Sequence, residues 1–125
     1  MEVTCKWQGD VLVAAVAGEL DLRNQAVMEQ EFQAIREHGA KAVVLDFSNV
    51  RFVSSLGIGL IMQLNRDLKS GGTGLQIAGV QPRIRLVFDM CNLGRVIPLA
   101  QSVEEACATC GAPGEETQPC MAAAS

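Results

Sequence analysis

The sequence predicts an α/β domain: a mixed β-sheet that starts with an N-terminal hairpin and continues as alternating helices and strands. Three observations carry this. First, Val3, Cys5 and Trp7 alternate with polar Thr4, Lys6 and Gln8, and residues 11–16 are almost continuously apolar, so two strands meet across Gly9-Asp10. Second, the apolar period then lengthens from two to between three and four in several later stretches. Third, the short apolar runs between those stretches suit strands covered on both faces. The predicted order is β, β, α, β, α, β, α, β, α, which implies a mixed sheet with helices packed on it.

The elements follow in order. Residues 17–21, Ala-Gly-Glu-Leu-Asp, close the second strand and turn the chain. Asn24 is a suitable N-cap for a helix over residues 25–37, with Met28, Phe32 and Ile35 as its buried stripe and Gly39 as its C′ stop. His38, in the last turn, reads as a solvated residue beside the helix's negative end. Residues 42–47 form an apolar strand. A helix over residues 55–69 follows, with Leu56, Leu60, Leu64 and Leu68 marking its core seam and Ile58, Ile61 and Met62 widening the apolar surface. The half of this helix nearest its start is apolar almost all round. It is therefore either enclosed by the fold or presented to a partner.

Gly71-Gly72 stops that helix, and residues 75–78 are a short strand. Pro82 suits the N1 position of a third helix whose stripe is Ile84, Val87, Phe88 and Cys91. Asn92-Leu93-Gly94 ends it. Val96-Ile97 reads as a brief edge strand closed by Pro98, and Ser102-Val103-Glu104-Glu105 as a capping box for a short last helix. From Gly111 the chain is rich in Gly, Pro, Ala and Glu and has no period, so residues 1–110 are expected to be the domain and residues 111–125 a mobile tail.

Composition bounds the function. In 125 residues, 49% are hydrophobic and 19% charged, enough apolar material for one packed core. The net charge of −4 argues against nucleic acid as the main partner, because phosphate binding needs a clustered basic face. No apolar run is long enough to span a bilayer, and the first ten residues lack a signal peptide's apolar segment, so a cytoplasmic protein without membrane insertion is expected. The five cysteines, Cys5, Cys91, Cys107, Cys110 and Cys120, fit reduced thiols better than a disulfide framework. Cys107-Ala108-Thr109-Cys110 is one isolated CxxC. It lacks two further zinc ligands and the early-strand setting of a redox site, and reads as small, semi-buried residues before the tail.

The chemistry-bearing stretch is Phe52-Val53-Ser54-Ser55-Leu56-Gly57-Ile58-Gly59, a strand-to-helix hinge with two adjacent serines. A serine there lies at a helix N-terminus, where unpaired N–H groups and the helix dipole favour negative charge. Catalytic readings fail on spacing. Val53 stands where a nucleophile elbow needs glycine, and His38 precedes the serines instead of following them. Gly57-Ile58-Gly59 is followed by neither Lys-Ser nor a third glycine, so it is neither a P-loop nor a dinucleotide fingerprint. No metal or other cofactor and no enzyme site is expected. Two readings of the serines stand side by side: capping, worth about 1 kcal/mol, and a phosphorylation switch. Gly57 and Gly59 each cost a helix roughly 1 kcal/mol relative to alanine, so something is expected to approach the backbone there, either a neighbouring strand or a partner protein.

Four pieces in order resemble the STAS-domain anti-sigma factor antagonists of bacteria: Gly18-Glu19-Leu20-Asp21, Val44-Leu45-Asp46-Phe47, the hinge from Phe52 to Gly59, and Val80-Gln81-Pro82 through Leu86-Val87-Phe88 to Asn92-Leu93-Gly94. The resemblance spans about residues 3–108. It implies a STAS-like mixed sheet. It also implies that Ser55, which matches the family's acceptor, is phosphorylated by an anti-sigma factor serine kinase with a histidine-kinase-like ATPase fold. The unphosphorylated form then binds that kinase and frees a sigma factor, and a PP2C-type phosphatase restores it. The implied partner-binding surface is Asp21, Ser54, Ser55, Leu56, Gly57, Ile58 and Gly59. Asp21 matches the family's loop acid near the acceptor; read plainly, it is a turn or cap residue. Ser54 stands where many members have Asp, and Leu56 where a small residue is usual. Ser54 keeps the capping function and leaves the Ser55 hydroxyl free. The competing readings are a non-phosphorylated STAS scaffold or lipid-transport-complex subunit, and a sensor of a small ligand.

Overall fold

The computed structural model describes residues 1–109, so the tail expected over residues 111–125, and Cys110 and Cys120 with it, lie outside the described residues. The observed order is β1 (Glu2–Gln8), β2 (Val11–Leu20), α1 (Gln25–Glu37), β3 (Ala42–Val53), α2 (Ser55–Ser70), β4 (Gly74–Ala78), α3 (Pro82–Met90), β5 (Leu99–Ala100) and α4 (Val103–Thr109). This is the predicted sequence of elements, with 3₁₀ turns added at Leu22–Asn24 and Leu93–Arg95. The five strands lie in chain order, β1-β2-β3-β4-β5. β1 is antiparallel to β2, and every later pair is parallel.

The two faces of the sheet differ. On the first face Leu12, Leu20, Leu45, Phe47 and Ile77 are buried beneath Met28, Phe32 and Ile35 of α1, Ile61 and Leu64 of α2, and Ile84 and Phe88 of α3. Phe47 and Phe88 meet as a tilted ring pair 6.1 Å apart. Arg36 of α1 bonds Asp67 of α2 at 2.7 Å across the helix pair. The second face carries smaller side chains, Val11, Val13, Ala42, Val44, Ala78 and Ala100, and among the described residues only the short α4 rests on it, through Ala106 and Cys107. Ser102 caps α4, accepting from Glu105 N–H, while the Glu105 carboxylate reaches back to Gln101 N–H at 2.6 Å, much as the capping box predicts. Beside α4 the uncovered part of this face forms an open groove of about 440 Å³ lined by Thr4, Lys6, Val13, Asp46 and Ser48 among others. No helix among the described residues is long and apolar enough to cross a membrane.

Several local expectations are corrected. β2 does not close at Val16: it continues to Leu20 through two register shifts against β3, and β3 runs on to Val53 instead of stopping at Phe47. The polar and small residues that suggested a turn are tolerated because they fall at these irregularities and on the exposed side. Asn24 does not cap α1. Its side-chain amide donates to Glu19 O at 2.8 Å and to Asp21 Oδ1 at 3.2 Å, so it ties the turn back onto β2. The seam of α2 is rotated from the leucine repeat: Gly57, Ile58, Ile61, Leu64, Asn65 and Leu68 are buried, and Leu56 and Leu60 sit half-buried on the flank. Cys91 is exposed, just past the end of α3. The edge strand is Leu99–Ala100, after Pro98, whereas Val96-Ile97 belongs to the turn before it. Cys5 and Trp7 are exposed, because among the described residues β1 is an edge strand with no element beyond it. His38 is exposed and meets the Trp7 ring edge-on at 5.8 Å.

Candidate functional site

The long pairing of β2 with β3 brings Leu20 opposite Val53, and the hinge starts one residue later. Ser54 is extended, φ −90° and ψ 175°, and is the N-cap of α2. Its backbone N–H donates to Leu20 O at 2.9 Å and its hydroxyl donates to the same oxygen at 3.1 Å. The Ser54 Oγ also accepts from Gly57 N–H at 3.2 Å, and Ser54 O accepts the first helical bond, from Ile58 N–H, at 2.9 Å. One serine therefore fastens the end of β2 to the first turn of α2.

Gly57 makes that fastening possible. A Cβ on it would stand 2.7 Å from Leu20 O, 3.0 Å from Leu20 Cβ and 3.1 Å from Val53 Cγ1, so only glycine lets the helix approach this closely. For Gly57, the neighbouring group anticipated from the sequence is a strand. Gly59 is different: it is exposed, and a Cβ there would meet nothing within 4 Å.

Ser55 is the first residue of α2 and is exposed. Its hydroxyl has no hydrogen-bond partner among the described residues, and the amides of Ser55 and Leu56 belong to the helix's opening turn, which lacks intrahelical acceptors. Leu56 is half-buried and packs against the main core. Gly57 and Ile58 are buried, so of the seven residues expected at a partner surface they form its underside, while Ser55 and Gly59 are outermost.

Asp21 follows Leu20 directly, which places it beside the Ser54 anchor. Its carboxylate accepts from Arg23 Nη2 at 3.1 Å and from Asn24 Nδ2 at 3.2 Å, and Arg23 Nη2 also reaches Glu19 Oε1 at 3.1 Å. Partial desolvation pushes the Asp21 carboxyl up, but hydrogen bonds from Arg23 and Asn24 and the charge of Arg23 outweigh it and hold the group below its usual range. The Arg23 guanidinium is pushed up in turn by its bond to Asp21. Arg51 lies 3.9 Å from the other Glu19 oxygen. Two large apolar residues flank the hinge in the open, Leu22 at 73% and Phe52 at 49% exposure. Sequence reasoning missed Arg23 and Leu22, and it placed Phe52 in the hinge without assigning it to the exposed surface. The available signal was an apolar Leu22 inside an otherwise polar turn. The exposure of Phe52 gave no signal, because an aromatic at a strand end is ordinary core composition. No group of three or more His, Cys, Asp or Glu among the described residues could hold a metal ion.

The mixed five-stranded sheet with helices packed on it, and an exposed serine directly after the capping serine at a helix start, defines a mixed-sheet α/β domain. The chain belongs to the STAS domain family, which it matches over residues 2–106. It is similar to BtrV of Bordetella bronchiseptica, assigned as an anti-sigma factor antagonist, with 27% identity over 108 residues covering 86% of this chain and 93% of that one. It is also similar to the anti-sigma-B factor antagonist of Staphylococcus epidermidis, at 28% identity over 95 residues, covering 76% of this chain and 88% of the other. Among solved structures it shares the fold of the anti-sigma factor antagonist SpoIIAA of Bacillus in its unphosphorylated form, with TM-score 0.69 and 23% identity over 84% of this chain and 92% of that one. SpoIIAA has also been solved in a phosphorylated form, which overlays with TM-score 0.62 at the same 23% identity, covering 84% of this chain and 96% of that one.

Proposed function

We propose that this protein is an anti-sigma factor antagonist whose binding surface is switched by phosphorylation of Ser55. The observation that carries the reading is the division of labour at the hinge. Ser54 spends its hydroxyl on Leu20 O and Gly57 N–H, while Ser55 stands exposed and unbonded at the open end of a helix. The similarity to anti-sigma factor antagonists supports the biological role.

The unphosphorylated surface comprises Asp21, Ser54, Ser55, Leu56 and Gly59 over the buried pair Gly57 and Ile58, with Leu22 and Phe52 beside it. It is largely apolar, and it suits an anti-sigma factor serine kinase with a histidine-kinase-like ATPase fold. Phosphate adds about −1.5 to −2 charges and three acceptor oxygens. The N-terminus of α2 holds that charge without rearrangement. The partner then faces an anion in an apolar contact next to Asp21, and leaving it unpaired costs several kcal/mol, enough to release the complex. A PP2C-type phosphatase resets the switch, and the whole cycle operates in the cytoplasm over the domain of residues 1–110. Leu56 packs sideways against the core, so its bulk leaves Ser55 exposed.

The test is to incubate the protein with the cognate anti-sigma kinase and ATP and to map phosphate by mass spectrometry. Label is expected on Ser55, retained in Ser54→Ala and lost in Ser55→Ala, and the phosphorylated form is expected to leave the kinase. Absence of label, or equal binding of both forms, overturns the reading and favours a scaffold that is never phosphorylated.

A further inference from the structure

We propose that the free edge of β1 pairs with the β1 of a second copy, antiparallel and centred on Thr4, to give a dimer with one continuous sheet. Among the described residues β1 has a single neighbour, β2, and its pairing with β2 is regular from Glu2 to Gln8. An open edge strand presents a row of unpaired N–H and C=O groups, and proteins normally blunt it with a bulge, a proline, a covering segment or a charge. This strand has no proline and no bulge, and five of its seven residues are exposed. Its charges are Glu2 and Lys6, and their spacing decides what they do.

Alternation puts Glu2, Thr4 and Lys6 on the second face, and Met1, Val3, Cys5 and Trp7 on the first. With Thr4 opposite the partner's Thr4, Glu2 of each copy stands opposite the partner's Lys6. On the other face Val3 meets the partner's Cys5, and Met1 meets the partner's Trp7. Both ion pairs are then satisfied and every first-face pair is apolar, including Trp7, which is 48% exposed in the single chain. Sliding the register removes this match. Centred on Cys5, Lys6 faces Thr4 and Glu2 faces Gln8. Centred on Lys6, the two lysines oppose each other, which is destabilising. The two charges thus select one self-complementary register instead of forbidding pairing altogether. The second face beside β1 is an open groove, so among the described residues no helix on that side blocks the approach of the partner.

The full-length protein is measured by sedimentation velocity over a concentration series, with Lys6→Glu and the double variant Glu2→Lys/Lys6→Glu alongside. Lys6→Glu places like charges opposite each other twice and is expected to weaken dimerisation about ten-fold or more, and the charge-swapped double variant to restore it. Circular dichroism checks that the variants, altered only at exposed positions, remain folded. Cross-linking fixes the register: Thr4→Cys in a background with Cys5, Cys91, Cys110 and Cys120 changed to Ser is expected to form a disulfide dimer on mild oxidation, and that background alone is not. A protein that stays monomeric at millimolar concentration overturns the proposal, as does a dimer indifferent to Lys6→Glu or one that Thr4→Cys fails to trap.

Discussion

The inner and outer sides of the first turn of α2 are built on opposite principles. On the inner side Ser54 and Gly57 are fixed against Leu20 by three hydrogen bonds and a contact with no room for a methyl group. On the outer side Ser55 and Gly59 are exposed, and a Cβ on Gly59 would meet nothing within 4 Å among the described residues. Neighbouring residues of one short segment therefore answer to different demands. The inner ones are set by the fold, and the outer ones are available to a partner. The difference teaches that a fixed backbone and an exposed hydroxyl are compatible because they fall on adjacent residues of the same type, Ser54 and Ser55.

Substitutions ranked by expected effect sharpen this contrast. Gly57→Val forces a branched side chain into the space held by Leu20 O and Val53, and is expected to cost about 3 kcal/mol or more in urea unfolding. An effect under about 1 kcal/mol would mean that the close approach is soft. Ser54→Ala removes the cap and its bond to β2, with an expected loss of about 1–2 kcal/mol by the same measurement. Gly59→Ala runs the other way. With open space around it, an added methyl is expected to stabilise the helix by up to about 1 kcal/mol, which thermal unfolding would register as a higher Tm. If partner affinity falls while stability rises, that glycine belongs to the contact surface. Ser55→Ala is expected to change stability by less than about 0.5 kcal/mol while abolishing labelling by the kinase.

The smallest effect is electrostatic. The Asp21 carboxyl lies below its ordinary range, so it contributes stability that is fully present above the unfolded-state value and lost as pH falls through the folded-state value. Because the group is solvent-screened, the contribution is small, and the sharper readout is a carboxyl NMR titration. Arg23→Gln removes the largest of the lowering influences and is expected to move the Asp21 midpoint up; an unmoved midpoint would show that the backbone hydrogen bonds of Asn24 and residue 23 suffice to hold the carboxylate.

Much of this was legible in the sequence where one physical demand dominated. The period of α1, the Pro82 start of α3 and the capping serine Ser54 each follow from local rules, and the structure agrees. Reading failed where tertiary packing overrode local preference. Leu56 and Leu60 looked like the seam of α2 because leucine is the better core residue, yet the tight contact at Gly57 rotates the helix so that glycine, Ile61 and Leu64 face the sheet. Asn24 looked like a cap, but the 3₁₀ turn before α1 turned its amide back to Glu19. The strand-to-helix hinge with its two serines was readable as a helix start, whereas residue type alone left capping and a switch side by side, and the role proposed for Ser55 rests on the resemblance. The Glu19–Arg23–Asp21 pairing was not, since it depends on where an exposed arginine happens to lean.

The order β1-β2-β3-β4-β5 has one more consequence, for how the chain is made. Every strand pairs with the one synthesised just before it, and no strand must be inserted between two already in place. A polypeptide leaving the ribosome can therefore extend its sheet outward by one strand at a time, each addition closing over a single helix or turn. Ser54 reaches Leu20 O once the end of β3 has paired with the end of β2, so the hinge needs only elements that precede β4 in the chain.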